Sequence, residues 1–228
     1  MTEIPKDSDT GKPKPDLTPI EARVLGCLME KQRTTPDAYP LTQNALVQAC
    51  NQKTSRNPVM HLEPGEVGHT LSQLRDRDLV HASFAGRAER YDHKMASCYR
   101  LNRQEQALMC ALLLRGPQTE GELRTNAGRM AEFSDLRTVG ETLAGLIERS
   151  PPLVTKLPRL PGKREERFAQ LLCGEIEQQE LAAAAVVTCT DTRADQIAAL
   201  ECRVEDMREE LDALWALTGL EDKRPDRK

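Results

Sequence analysis

Aromatic side chains make up only 3% of this 228-residue chain. Any core must therefore be aliphatic. The single tryptophan, Trp215, provides no platform on which nucleic-acid bases could stack. No apolar run approaches the length that spans a bilayer, and residues 1–16 are rich in Pro, Lys and Asp, unlike a secretory leader. The cysteine count is odd, at seven, and no two cysteines have C-x-x-C spacing. Most of Cys27, Cys50, Cys98, Cys110, Cys173, Cys189 and Cys202 stand among apolar neighbours, which buried reduced thiols explain better than a disulfide or zinc framework. The expectation is a soluble, cytoplasmic protein without membrane contact.

Catalytic signatures are missing as well. His61, His69, His81 and His93 lack the spacing of metal ligands. No G-x-x-x-x-G-K-[ST], G-x-S-x-G or H-E-x-x-H occurs. A cysteine near a histidine is a possible nucleophile on paper, but an inert apolar thiol outweighs it. No enzyme is expected, and no catalytic residue, metal ligand or cofactor is assigned. A strong excess of positive charge is also absent, since the formal net charge is -4. That total hides an asymmetry. Residues 17–101 and 102–174 each hold 11 basic and 9 acidic side chains, whereas 175–228 hold 7 and 14. Two nearly neutral segments followed by an acidic tail differ from the usual basic nucleic-acid binder.

What the chain does have is a repeat. Val67-Gly68-His69-Thr70-Leu71-Ser72-Gln73-Leu74 returns as Val139-Gly140-Glu141-Thr142-Leu143-Ala144-Gly145-Leu146. Each copy is followed by Leu-Val (Leu79-Val80, Leu153-Val154), a Gly-basic turn (Gly86-Arg87, Gly162-Lys163) and an Arg-aromatic pair (Arg90-Tyr91, Arg167-Phe168). Self-similarity at long period marks duplicated structural units.

Residues 1–16 read as a disordered lead. Thr18-Pro19-Ile20-Glu21 is a capping box with Pro at the first helical position, opening a helix expected to end near Lys31. Thr42 caps a second helix, and Pro64 opens a third with Val67, Thr70, Leu71 and Leu74 inward. Val59 to Leu62 reads as a short strand. A hairpin follows, with strands from Leu79 to Phe84 and from Arg90 to His93, and Cys98 to Leu101 extends or joins that sheet. The second copy has Asn102 and Glu105 at its first cap and Thr119 at its second helix. Ser134 is expected to cap the third. Strands from Val154 to Leu157 and from Arg167 to Leu172 flank a turn over 158–166. The first copy carries about seven extra residues within 33–41 and about five within 51–62, within normal alignment error.

Helix, helix, helix, strand, turn, strand is winged-helix order. The fold class expected is mostly α, α+β: two tandem winged-helix domains, 17–101 and 102–174, then an acidic helical or coiled-coil tail, 175–228. In that tail Ile197, Val204 and Leu211 share one heptad position and Leu200, Met207 and Leu214 the other, the pattern of a two-stranded coiled coil and hence of a homodimer. Flanking charges lean toward antiparallel pairing, and a helix packed on its own chain is the alternative.

Three longer segments carry a resemblance: Leu17-Thr18-Pro19-Ile20-Glu21-Ala22-Arg23-Val24-Leu25-Gly26, Tyr39-Pro40-Leu41-Thr42-Gln43-Asn44-Ala45-Leu46, and Cys50-Asn51-Gln52-Lys53-Thr54-Ser55-Arg56-Asn57-Pro58-Val59. With Leu157-Pro158-Arg159-Leu160-Pro161-Gly162-Lys163-Arg164-Glu165 and Leu171-Leu172-Cys173-Gly174, they make residues 17–174 resemble the bacterial YceH-type family of tandem winged-helix proteins. The resemblance implies two winged-helix domains and often a C-terminal helix. It implies no particular activity.

The generic partner of a winged helix is double-stranded DNA, with the third helix in the major groove and the wing on phosphate or minor groove. Phosphate contact calls for cations, and the wings supply Arg87, Arg90, Arg159, Lys163, Arg164 and Arg167. The alternative is a solvated hairpin with local ion pairs to Glu89, Glu165 and Glu166. On the first copy's third helix, Gln73 has the donors and acceptors to read adenine, and His69 stands where phosphate would lie. Glu66 there opposes phosphate. The second copy's helix exposes Asp135, Arg137, Glu141 and Glu148, which argues against simple groove insertion. Lys53 and Arg56, in the polar 51–58 insertion, are candidates for phosphate or an acidic partner, and a loop folded back to cap the second helix is the alternative. Two functions follow: a DNA-binding, regulator-like protein, or a protein–protein adaptor of the chromosome-organising type.

Overall fold

The computed structural model describes residues 17–85, 88–159 and 165–174. Among these residues the structure is mixed α+β, with seven helices and two small antiparallel sheets, an arrangement compatible with the winged-helix order.

Helix α1 (Pro19–Thr34) begins at the expected box. The Glu21 N–H donates to Thr18 Oγ1 at 3.2 Å, and the Thr18 N–H donates to the Glu21 carboxylate at 2.7 Å. The helix runs past Lys31 to Thr34, because Thr34 and Thr35 turn their hydroxyls onto the carbonyls of Glu30 and Lys31. Asn102 and Glu105 build the same box on α5 (Arg103–Arg115). Thr42 caps α2 (Gln43–Cys50), and Thr119 with Glu122 boxes α6 (Glu120–Ala127). The third helices are α3 (Pro64–Asp76) and α7 (Leu136–Ile147). Their shared letters face inward: Val67, Leu71 and Leu74 in one, Val139, Leu143 and Leu146 in the other, all buried. The shared glycine is a close approach of two helices. A methyl on Gly68 would stand 2.9 Å from the Gln43 amide nitrogen, and one on Gly140 would stand 3.3 Å from a Glu120 carboxylate oxygen.

Strands β2 (Val80–Ala85) and β3 (Ala88–His93) form the first hairpin, with Val80 opposite His93 and Ala85 opposite Ala88. β1 (Leu41–Thr42) joins its far side, Leu41 opposite Tyr91. The second copy repeats this: β4 (Val154–Leu157) pairs with β5 (Arg167–Gln170), and Gln118 bridges Phe168 where Leu41 meets Tyr91.

Four local expectations are corrected. Residues 59–62 form no strand, because the Asn51 side-chain amide holds both the N–H and the C=O of Leu62, at 2.7 and 2.9 Å. Cys98 to Leu101 does not extend the sheet. Met95–Cys98 is a one-turn helix, α4, and Leu101 bonds back to the Ala96 carbonyl. Asp135, not Ser134, caps α7, since its carboxylate accepts the Thr138 N–H at 2.8 Å. The second hairpin strand also stops at Gln170, whose side-chain oxygen takes the N–H groups of Leu172 and Cys173.

Residues 17–174 lie within one compact unit, and the two copies share a hydrophobic core. Its centre is the pair α1 and α5, which are buried nearly all round, as helices inside a core are. The two run antiparallel. Gly26 lies on Leu113 and Leu114, while Met29 and Arg33 lie beside Gln106, Ala107 and Arg103. The Cys110 thiol donates to the Gly26 carbonyl at 3.3 Å. Gly26 and Cys110 are separated by 84 residues, as are Glu21 and Glu105, so equivalent positions of the two copies touch.

Candidate nucleic-acid interface

On α3 the outward residues are those expected: Glu66, His69, Ser72, Gln73 and Asp76 are all exposed. His69 and Gln73, four apart, share one face of the helix. Glu66 is occupied at the helix start, where it accepts the Glu63 N–H at 2.8 Å. The second copy offers a different surface. Arg137 pairs with Glu141 on its own helix at 2.8 Å, and Leu136 is exposed.

Several candidate cations are held by the protein itself. Arg90 donates to the Pro40 carbonyl at 2.8 Å, and Arg167 donates to the Pro117 carbonyl at 2.8 Å. These are one interaction built twice: the arginine on the returning strand ties the hairpin to the segment before the second helix. Arg167 also pairs with Glu122 at 3.2 Å. Arg77 on Glu21 at 3.0 Å and Arg149 on Glu105 at 2.8 Å form a second duplicated tie, from the end of each third helix to the first capping box. In the second hairpin Lys156 and Arg159 flank Glu166, at 2.5 and 3.1 Å, and hold its carboxyl below the usual range. Arg87, Lys163 and Arg164 lie outside the described residues, as do Ile197, Leu200, Val204, Met207, Leu211 and Leu214 of the heptad.

Arg56 is corrected outright. Its side chain is buried rather than presented to a ligand. A guanidinium has five N–H donors. Here Nε bonds Ala49 O, Nη1 bonds Glu30 Oε1 and Ser55 O, and Nη2 bonds Glu30 Oε2 and Gln52 Oε1, over 2.6–3.3 Å. Nothing is left for phosphate. The 51–58 insertion therefore folds back on the end of α2 and also reaches the second copy. The Asn57 N–H donates to Leu114 O at 2.8 Å, Arg115 donates to Ser55 Oγ at 2.7 Å, and Arg129 reaches Glu30 at 3.3 Å. Lys53 remains exposed.

Sequence reasoning missed the anchorage of the first hairpin. Tyr39 donates its hydroxyl to Asp92 and accepts the His93 N–H at 3.0 Å. The His93 ring is buried, with Nε2 3.0 Å from Gln32 Oε1, which fits an Nε2–H donor and a neutral ring. Burial lowers its pKa from an ordinary 6.5 to about 4; Asp92 opposes that shift and Arg33 adds to it. The only signal available was a histidine in alternation with Tyr91 on one strand. Phe84 was likewise passed over, although it is 83% exposed.

Residues 17–163 match the model of a family described as "Protein of unknown function, DUF480". A UPF0502 protein of Hahella chejuensis is 47% identical over 207 residues, covering 88% of this chain and 94% of that protein. One of Mesorhizobium japonicum is 49% identical over 203 residues, covering 88% and 97%. Another, of Cellvibrio japonicus, is 50% identical over 169 residues, covering 74% and 78%.

Two stability predictions follow from the buried charges and the buried ring. Arg56→Met leaves the Glu30 carboxylate buried without its main partner and costs about 3–5 kcal/mol, whereas Lys53→Ala stays within about 0.5 kcal/mol. Urea unfolding midpoints compare the two, and equal midpoints would contradict the assignment. His93 takes up its proton more readily unfolded than folded. Stability is thus complete above about pH 6.5 and falls as pH drops toward 4, by on the order of 3 kcal/mol from this ring. His93→Gln flattens that slope in urea titrations between pH 7 and 4.5, and an unchanged slope argues against a buried neutral ring.

Proposed function

This chain belongs to the DUF480 (UPF0502) family, and on that footing we propose that it is a non-enzymatic, DNA-binding, regulator-like protein built on two tandem winged helices. One observation carries the reading: three helices and a hairpin recur in the same order, and each third helix keeps its shared residues inward and leaves an outward face beside the hairpin. In the first copy that face presents His69 and Gln73 to base edges and phosphate. Affinity comes from Lys53, Arg159 and the tip cations Arg87, Lys163 and Arg164. Arg90 and Arg167 fix the hairpins in place instead. The two copies read different surfaces, because His69 is replaced by Glu141 and Gln73 by Gly145.

A second reading is supported by the second copy. Its third helix is internally charge-paired and exposes Leu136, which suits a protein partner better than a phosphate backbone. In that reading the protein is an adaptor of the chromosome-organising type.

Duplex binding is expected at low salt, with log K falling steeply against log salt. Combining Arg87→Ala, Lys163→Ala and Arg164→Ala reduces that slope by about three. A fluorescence titration that finds no duplex binding at low salt sinks the DNA reading and leaves the adaptor. The heptad residues Ile197 to Leu214 are proposed to form a homodimer contact. Sedimentation of the full chain is expected to give a dimer that Leu200→Glu with Leu211→Glu converts to monomer. A wild-type monomer at micromolar concentration would refute the contact.

A further inference from the structure

The first hairpin carries one large apolar side chain near its tip. In the register, Ala82 faces Tyr91, Ser83 faces Arg90, Phe84 faces Glu89 and Ala85 faces Ala88, which leaves two residues between the paired alanines. Beyond the Ser83–Arg90 pair the sequence is Phe84-Ala85-Gly86-Arg87-Ala88-Glu89, in which Phe84 is the one large apolar residue. Phe84 is 83% exposed, while Phe168 is buried and Phe133 is partly buried. Its face is defined by alternation: Val80, Ala82 and Phe84 share one side of β2 with Tyr91 and His93 of β3. Arg75 of α3 reaches Glu89 on that side at 3.8 Å, so the ring stands on the side of the hairpin that turns toward α3.

The base of the hairpin is rigidly held. Tyr39 bonds Asp92 and the His93 backbone, Arg90 bonds Pro40 O, Tyr91 bonds Glu89, and β1 covers the outer edge of β3. An apolar ring held at the end of a braced strand pair contributes nothing to the core. The pattern also occurs twice in the sequence. Phe84-Ala85-Gly86-Arg87 and Leu160-Pro161-Gly162-Lys163 each place a large apolar residue two before a glycine and three before a cation. A wedge for nucleic acid has this composition, an apolar side chain to enter between base steps with positive charge following it in the chain. The B-form minor groove is about 6 Å wide, so a ring that enters between base steps must open it and kink the duplex.

We propose that Phe84 is an apolar wedge that enters the minor groove of duplex DNA and kinks it, an inference that rests on the DNA-binding reading above. The test uses the full chain and a 30-base-pair A/T-rich duplex carrying a donor and an acceptor dye at its ends. Wild type is expected to bind and to raise energy transfer at saturation. Phe84→Ala is expected to bind about 5–10-fold more weakly and to lose the rise in energy transfer. Its salt slope should not change, because a neutral side chain releases no counterions. Phe84→Leu should restore part of the bend. The melting temperature of both variants should match wild type, since the ring is exposed. Binding and bending by Phe84→Ala equal to wild type would overturn the wedge and leave DNA binding intact. The wedge also falls if Phe84→Ala keeps the bend and instead loses a defined protein from a nuclease-treated pull-down. Failure of wild type to bind any duplex would remove the reading on which the wedge rests.

Discussion

The close contact of α1 with α5 at Gly26 is the constraint on which the rest of the described structure depends. A methyl group there would stand 2.8 Å from Leu114 Cδ2 and 3.3 Å from Leu113 Cβ. Without a side chain at that point, the Cys110 thiol reaches the Gly26 carbonyl and the helices pack along their length. Both can then be buried nearly all round, which neither copy achieves with its own three helices. A mostly aliphatic chain segment of this size, with Tyr91 and Phe168 the aromatic side chains in its core, has little area to spare, and a shared core buries more of it than two separate ones would. Contact between equivalent positions gives the copies a local two-fold relation, the arrangement two subunits of a homodimer adopt across an isologous interface.

Around that contact the first copy adds a charge cluster with no counterpart in the second. Glu30 lies on α1, where the equivalent position in α5 is Leu114. Burying a carboxylate and a guanidinium is costly, and the ion pair repays the cost only when the remaining donors are filled. All five of the Arg56 donors are filled. The insertion carrying Arg56 then reaches the end of α5 through Asn57 and Ser55. The extra residues of the first copy are thus a clasp between copies. Two neutral side chains would serve stability as well. In the charged version Glu30 also reaches across to Arg129 of the second copy, at 3.3 Å.

The repeat made the element order legible, because its shared letters are the inward ones and the periodicity of Val67, Leu71 and Leu74 is helical. Capping boxes at Thr18, Asn102 and Thr119 were legible for the same reason: a local pattern meets a local need. Long-range side-chain bonds were not. Asn51 reads as a loop residue, yet it takes the place of a strand partner for Leu62. Arg56 sits in a polar, Asn-rich stretch that looks like surface, and only the distant Glu30 accounts for its burial. Arg90 and Arg167 look like wing cations because alternation puts them on a hairpin, while the carbonyls that hold them lie 50 residues earlier. The exposure of Phe84 depended on where the core ends beneath the hairpin, a tertiary quantity. The tail that carries the heptad lies outside the described residues.

Taken together, these ties move the search for function outward. The arginines at the hairpin bases are engaged with backbone carbonyls, and the one deep in the insertion is engaged with Glu30. On the second hairpin Lys156 and Arg159 share the single carboxylate of Glu166, which leaves one positive charge over. Duplicated interactions such as Arg77 with Glu21 and Arg149 with Glu105 serve the scaffold, since the same bond is needed wherever the same fold is built. Of what the copies do not share, the Glu30–Arg56 clasp and the Tyr39–Asp92 anchor also serve the scaffold, and an exposed remainder is left. That remainder is His69 and Gln73 against Glu141 and Gly145, and Phe84 at the first hairpin tip. The duplicated core holds two unlike surfaces in one unit, so a ligand that engages both meets two different chemistries, and an asymmetric target fits that arrangement better than a palindromic one.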